Sequence, residues 1–70
     1  MTNIAKSTLD YIKESVRNKN ISGNYNDTET INDYEIRKIV EEDEYYYKCY
    51  KIVIEVKKKE QIRRLESYVL

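Results

Sequence analysis

The sequence predicts a small two-layer α+β domain: an N-terminal helix, an antiparallel β-hairpin with room for a third short strand, and a C-terminal helix. Three observations predict it. The first twenty residues carry an apolar stripe of helical period, the middle is rich in Tyr, Ile and Val but broken by a run of acids, and the last dozen residues return to helical spacing. At 70 residues the chain holds a single domain, 1–70, and a folded chain of this size buries only about 60% of the surface its unfolded form exposes. Little room is left for a core together with an enclosed substrate cavity, which disfavours an enzyme.

In the first helix, placed at about 4–19, Ala5, Leu9, Ile12 and Val16 recur at i, i+4, i+7 and i+11, with Ile4 and Thr8 beside them. Lys6, Asp10, Lys13, Glu14 and Arg17 lie off that stripe, and Asp10–Lys13, Asp10–Glu14 and Lys13–Arg17 are spaced as helical neighbours on a solvated face. Thr2 or Asn3 suits the start, and Gly23, the only glycine, marks the main turn. Residues 20–33 are dominated by Asn, Asp and Thr, which bond their own backbone in turns, and read as a polar loop with a short edge strand over Thr28–Ile31.

Residues of strand type run from about 34 to 56, with Glu41–Glu44 at the bend. A three-residue loop of Glu42, Asp43 and Glu44 sets Val40 opposite Tyr46, Ile36 opposite Tyr50 and Tyr34 opposite Ile52, and Ile54 and Val56 continue that apolar face. The other face pairs Ile39 with Tyr47, Arg37 with Cys49 and Glu35 with Lys51, at the cost of Lys38 opposite Lys48. A two-residue loop would instead place charges on the apolar face. Beyond Lys57, Ile62, Leu65 and Val69 fall at i, i+3 and i+7, the spacing of a second helix at about 59–69. A two-stranded hairpin is marginal alone, and leftover apolar strand surface in a small chain is often covered by a second copy, so a homodimer is expected.

Several chemistries are excluded by missing residues. With no His and one Cys, neither a Ser-His or Cys-His pair nor a zinc site can be built within one chain. The lone Cys49 leaves no intramolecular disulfide, and no cationic segment with an apolar run opens the chain, so a reducing, cytoplasmic setting is expected. The longest apolar run, Ile52–Ile54, is far short of the roughly 20 residues that cross a bilayer as a helix. Asp27, Glu29, Asp33 and Glu35 are spaced loosely like a calcium loop but lack its Asp-x-Asp-x-Asp-Gly order and closing Glu; a solvated loop accounts for them. A catalytic carboxylate pair from Glu41 to Glu44 would need an apolar setting that a hairpin tip lacks. No cofactor, metal or catalytic residue is expected.

Thirteen Lys and Arg balance thirteen Asp and Glu, so net charge names no partner, but the distribution is bipolar. Residues 25–44 hold eight acids and two bases, and residues 45–64 hold seven bases and two acids. Solvated faces and cross-strand pairs would account for much of this. A sharper reading is that Asp27, Glu29, Asp33, Glu41, Glu42, Asp43 and Glu44, with the tyrosines Tyr45 and Tyr47, form an acidic edge that occupies a basic groove on a host protein in place of nucleic-acid phosphates. Ile, Lys, Tyr and Asn make 32 of the 70 residues, a bias that A+T-rich codons produce and that hints at a low-G+C bacterium or its phages. The expected function is therefore a non-enzymatic protein-protein interaction module, in concrete form a small phage- or mobile-element-encoded inhibitor of a host nucleic-acid-processing or defence enzyme, anti-CRISPR-like in kind.

The alternative is a small nucleic-acid-binding regulator. Tyr45 to Lys51 interleaves aromatics with cations as single-strand binders do, and Lys48 and Lys51 of that strand, with Lys57, Lys58, Lys59, Arg63 and Arg64 of a basic corner at the start of the second helix, would supply the phosphate contacts. No helix-turn-helix, RRM signature or zinc knuckle accompanies them.

Overall fold

In the computed structural model, which describes residues 2–21, 23–43, 45 and 49–70, the N-terminal stripe forms helix α1 (Thr2–Arg17). Ala5, Ile12 and Val16 are buried, and Ile4 and Leu9 pack beside them, as the spacing predicts. The helix ends in a Schellman motif: Lys19 takes the left-handed conformation at φ 61°, its N–H donates to the Val16 carbonyl at 3.1 Å, and Asn20 N–H donates to the Ser15 carbonyl at 2.9 Å. Glycine usually holds that position because a Cβ there is strained. Lys19→Gly is accordingly expected to stabilise the fold by about 1 kcal/mol, read as a higher urea midpoint with an unchanged slope.

Four strands follow: β1 (Tyr25–Ile31), β2 (Tyr34–Glu42), β3 (Tyr50–Lys58) and β4 (Gln61–Val69), paired antiparallel in chain order. Three expectations are corrected here. The polar stretch 20–33 is not a loop with a short strand but contains the whole of β1. Asn32 and Asp33 turn it into β2 with φ of 48° and 72°, the two positive values of a primed hairpin turn that Asn and Asp tolerate.

The second correction is register. Ile36 pairs with Val56 and Val40 with Ile52, so the three-residue bend at Glu42–Glu44 gives way to a longer connection that begins with Asp43 N–H donating to the Cys49 carbonyl at 2.9 Å. Arg37 consequently faces Glu55, not Cys49, and Cys49 is buried next to the loop. The observed register sets Glu35 opposite Lys57, Arg37 opposite Glu55 and Glu41 opposite Lys51. Three opposite-charge pairs replace the single Glu35–Lys51 pair of the expected alignment, and Lys38 faces Ile54 in place of a lysine.

The third correction is that there is no C-terminal helix; residues 61–69 are β4, an edge strand. Its Leu65 and Val69 face α1 while Ile62 and Tyr68 lie on the opposite side, so three apolar residues that suit a helical stripe are divided by the pleat between two faces. The core lies between α1 and one sheet face, where Ile36, Val40, Ile52, Ile54, Val56 and Val69 meet Ala5, Ile12 and Val16. The fold remains a two-layer α+β arrangement, with α1 lying against β3 and β4.

Candidate functional site

Because β2 and β3 are nine residues long each and rise about 3.3 Å per residue, the sheet sets its two ends far apart in a particle 37 Å long. One end holds the turns Asn32–Asp33 and Lys59–Glu60. The other holds the end of β2, the start of β3 and the connection between them.

At the connection end, Glu41 projects from the face away from α1 opposite Lys51, and Glu42 from the other face opposite Tyr50. Glu42 N–H donates to Asn24 Oδ1 at 3.2 Å, tying the strand end to the segment before β1. The Asp43 carboxylate accepts from Tyr45 N–H at 2.7 Å, an Asx-type turn that orders the first step out of the strand. Tyr45 is 89% exposed. Three carboxylates and an exposed phenol ring thus share this end. Glu44, Tyr47 and Lys48 lie outside the described residues.

The remaining acids go elsewhere. Asp27 and Glu29 project from β1 on the helix side and clasp Lys38 of β2, whose Nζ is 2.6 Å from Glu29 Oε2 and 3.8 Å from Asp27 Oδ2. Tyr25 O–H donates to the same Asp27 oxygen at 3.4 Å. Asp33 lies at the far end, in the turn. The structure therefore places Glu41, Glu42 and Asp43 at one end of the sheet with Glu41 and Glu42 on opposite faces, neutralises part of the charge of Asp27 and Glu29, and separates Asp33 from both groups.

The hydrogen bond Lys38 donates to Glu29 is the first cause that raises Lys38 above its ordinary 10.5; desolvation opposes it, and the charges of Glu29 and Asp27 add to it. Burial raises Tyr25 above 10.0, with the Asp27 charge next. Both groups hold their protons more tightly when folded than unfolded, so the stability they supply is full below 10.0 and is lost as pH climbs past 10.0 and then 10.5. Thermal melts carried from neutral into alkaline solution should show a falling midpoint above that window. Lys38→Met should be less stable at neutral pH and show a shallower alkaline fall.

The expected basic corner exists as a hairpin turn rather than a helix start. Lys58 Nζ sits 4.8 Å above the Tyr34 ring, a cation–π contact. Lys58, Lys59 and Arg63 line an open groove with Tyr34, Glu60, Gln61 and Ile62. Lys57, Arg64 and Lys51 project from the opposite sheet face, where Arg64 Nη2 meets Glu66 Oε1 at 3.0 Å. The six described cations are thus divided between the two faces and the turn, and sequence reasoning missed Tyr34 as the aromatic member of the groove. Its only signal was a tyrosine at a strand start, which reads equally as core.

Among the described residues no three Asp, Glu or Cys side chains converge to hold a metal ion, and no helix is long and apolar enough to cross a membrane. No family model, curated protein or solved structure matches the chain.

Proposed function

We propose that the chain is a non-enzymatic protein-interaction module acting in the cytoplasm as a homodimer: a small phage- or mobile-element-encoded inhibitor that seats its acidic end in the basic groove of a host nucleic-acid-processing or defence enzyme. The observation that carries this reading is the grouping of Glu41, Glu42 and Asp43 with the 89% exposed Tyr45 at one end of the long axis. Lys58, Lys59 and Arg63 line a groove with Glu60 at the other. A groove built for phosphates attracts the acidic end, which speeds docking. The tyrosine supplies the rigid amphipathic anchor that interfaces favour.

The test is capture from a host lysate by the intact chain, with a triple reversal Glu41→Lys, Glu42→Lys and Asp43→Lys as comparison. The expected result is retention of an enzyme that binds nucleic acid, displaced by added duplex DNA, with at least about a hundredfold weaker binding by the reversed chain at unchanged circular dichroism. Retention that is indifferent both to the reversal and to DNA would contradict the reading.

The groove of Tyr34, Lys58, Lys59 and Arg63 favours one second reading, a nucleic-acid contact at the turn end. Labelled single-stranded oligonucleotides titrated at two salt concentrations decide it. Phosphate contacts by three cations give a log-log salt slope of about −2, and absence of binding at low salt removes this reading.

A further inference from the structure

The meander leaves two unpaired strand edges, β1 and β4, and their charges treat a second copy in opposite ways. On β1, Asp27 and Glu29 share one face two residues apart. A two-fold axis through Thr28 would set Asp27 against Glu29 of the second copy, and an axis through either acid would set that acid against itself. Facing carboxylates are unfavourable directly across a ladder, so the central registers of β1 are set against pairing with their own kind.

β4 has the complementary order. A two-fold axis perpendicular to the sheet at Leu65 sets Arg64 opposite Glu66 of the second copy and Ile62 opposite Tyr68 of the second copy, each contact occurring twice. Ile62 and Tyr68 are 59% and 56% exposed and lie on the same face. That pairing covers two of the larger apolar side chains the fold leaves in water. Moving the axis by one residue sets Arg64 against Arg64 or Glu66 against Glu66, so the register about Leu65 is favoured over both of its neighbours.

The charges already form a pattern that such pairing would continue. Arg37, Glu55 and Arg64 alternate in sign across β2, β3 and β4, and Glu66 of the second copy would be the next member. The Arg64–Glu66 ion pair within one strand would become half of a four-charge ring of alternating sign. Because β4 runs from the basic turn to the acidic end, each copy's acidic end would lie beside the other's basic turn.

We infer that β4 is the self-association edge: two copies join antiparallel through Gln61–Val69 about Leu65 into one eight-stranded sheet, with both helices on one face and an acidic end projecting at each extremity. This inference rests on the homodimer part of the proposed function and is independent of what the acidic end binds.

Sedimentation equilibrium on the intact chain tests it, with Arg64→Glu and Glu66→Arg measured separately and mixed. The unmodified chain should be a dimer. Each single reversal should weaken association by about thirtyfold or more, and an equimolar mixture of the two variants should restore the dimer, since both contact positions again hold opposite charges. Amide exchange on the unmodified chain supplies a readout free of variants: β4 amides should slow as protein concentration rises while those of β1 do not. A monomer at millimolar concentration overturns both the dimer and its edge. A dimer indifferent to the reversals, a mixture that stays monomeric, or concentration-dependent protection of β1 instead of β4 overturns the edge assignment alone.

Discussion

Ile54→Ala is expected to remove about 2–5 kcal/mol of stability, a large share of the roughly 3.5–10 kcal/mol that a chain of this size holds. Ile54 is fully buried at the middle of β3, between Lys38 of β2 and Leu65 of β4 in the ladder. Truncation there forfeits the transfer energy of three carbons and leaves a cavity that β-sheet neighbours on both sides cannot close. Such a loss lowers the urea midpoint by a large fraction. Ile54→Val, which keeps the branched shape, should cost about 1 kcal/mol. Urea titrations of both variants check the pair. A loss below about 1 kcal/mol for the alanine variant would mean that the helix does not cover this position.

Ile12→Asp is expected to detach α1 from the sheet. Ile12 is 1% exposed at the centre of the helix stripe, and a carboxylate there would meet Ile and Val side chains with no donor to satisfy it, at a cost of at least about 3 kcal/mol. A helix of 16 residues is marginal alone in water, so undocking should melt it. The expected readout is loss of most helical ellipticity together with binding of an apolar dye to the uncovered face of β3 and β4. Retained ellipticity without dye binding would contradict the packing. Tyr11→Asp, at a neighbouring residue that is 69% exposed, should leave ellipticity and dye binding unchanged.

The same residues show how much of the fold was legible. The α1 stripe was readable because Ala5, Ile12 and Val16 keep helical spacing and are buried on one side. The facing of the two central strands was also readable: Ile36, Val40, Ile52, Ile54 and Val56 share a face, since the pleat fixes parity and the observed register differs from the expected one by an even number of residues. The register itself was obscured by Tyr45–Tyr47, whose strand preference argued for an early bend. The pairs Glu35–Lys57, Arg37–Glu55 and Glu41–Lys51 were the signal that distinguishes the alignments, and it becomes visible only when a long connection is allowed.

β4 was illegible for a different reason. Ile62, Leu65 and Val69 satisfy a helical period, and the turn before them carries its left-handed φ of 56° at Lys59 rather than at a glycine, so nothing in the sequence punctuates the hairpin. β1 hid likewise, because this edge strand is exposed at nearly every position and polar from Asn26 to Thr30. Of the candidate site, the acids at the bend were readable by position. Their grouping depended on the register, and the diversion of Asp27 and Glu29 to Lys38 depended on β1 being a strand.

Both functional ends and the self-association edge require Gln61–Val69 to be the fourth strand. Backbone carbon chemical shifts with inter-strand contacts measured by NMR on the intact chain test this most directly. Strand-type shifts through residues 61–69, with cross-strand contacts joining Ile54 to Leu65 and Ile52 to Ser67, are the expected result. Helical shifts over the same residues, with contacts between neighbours three apart, would contradict it.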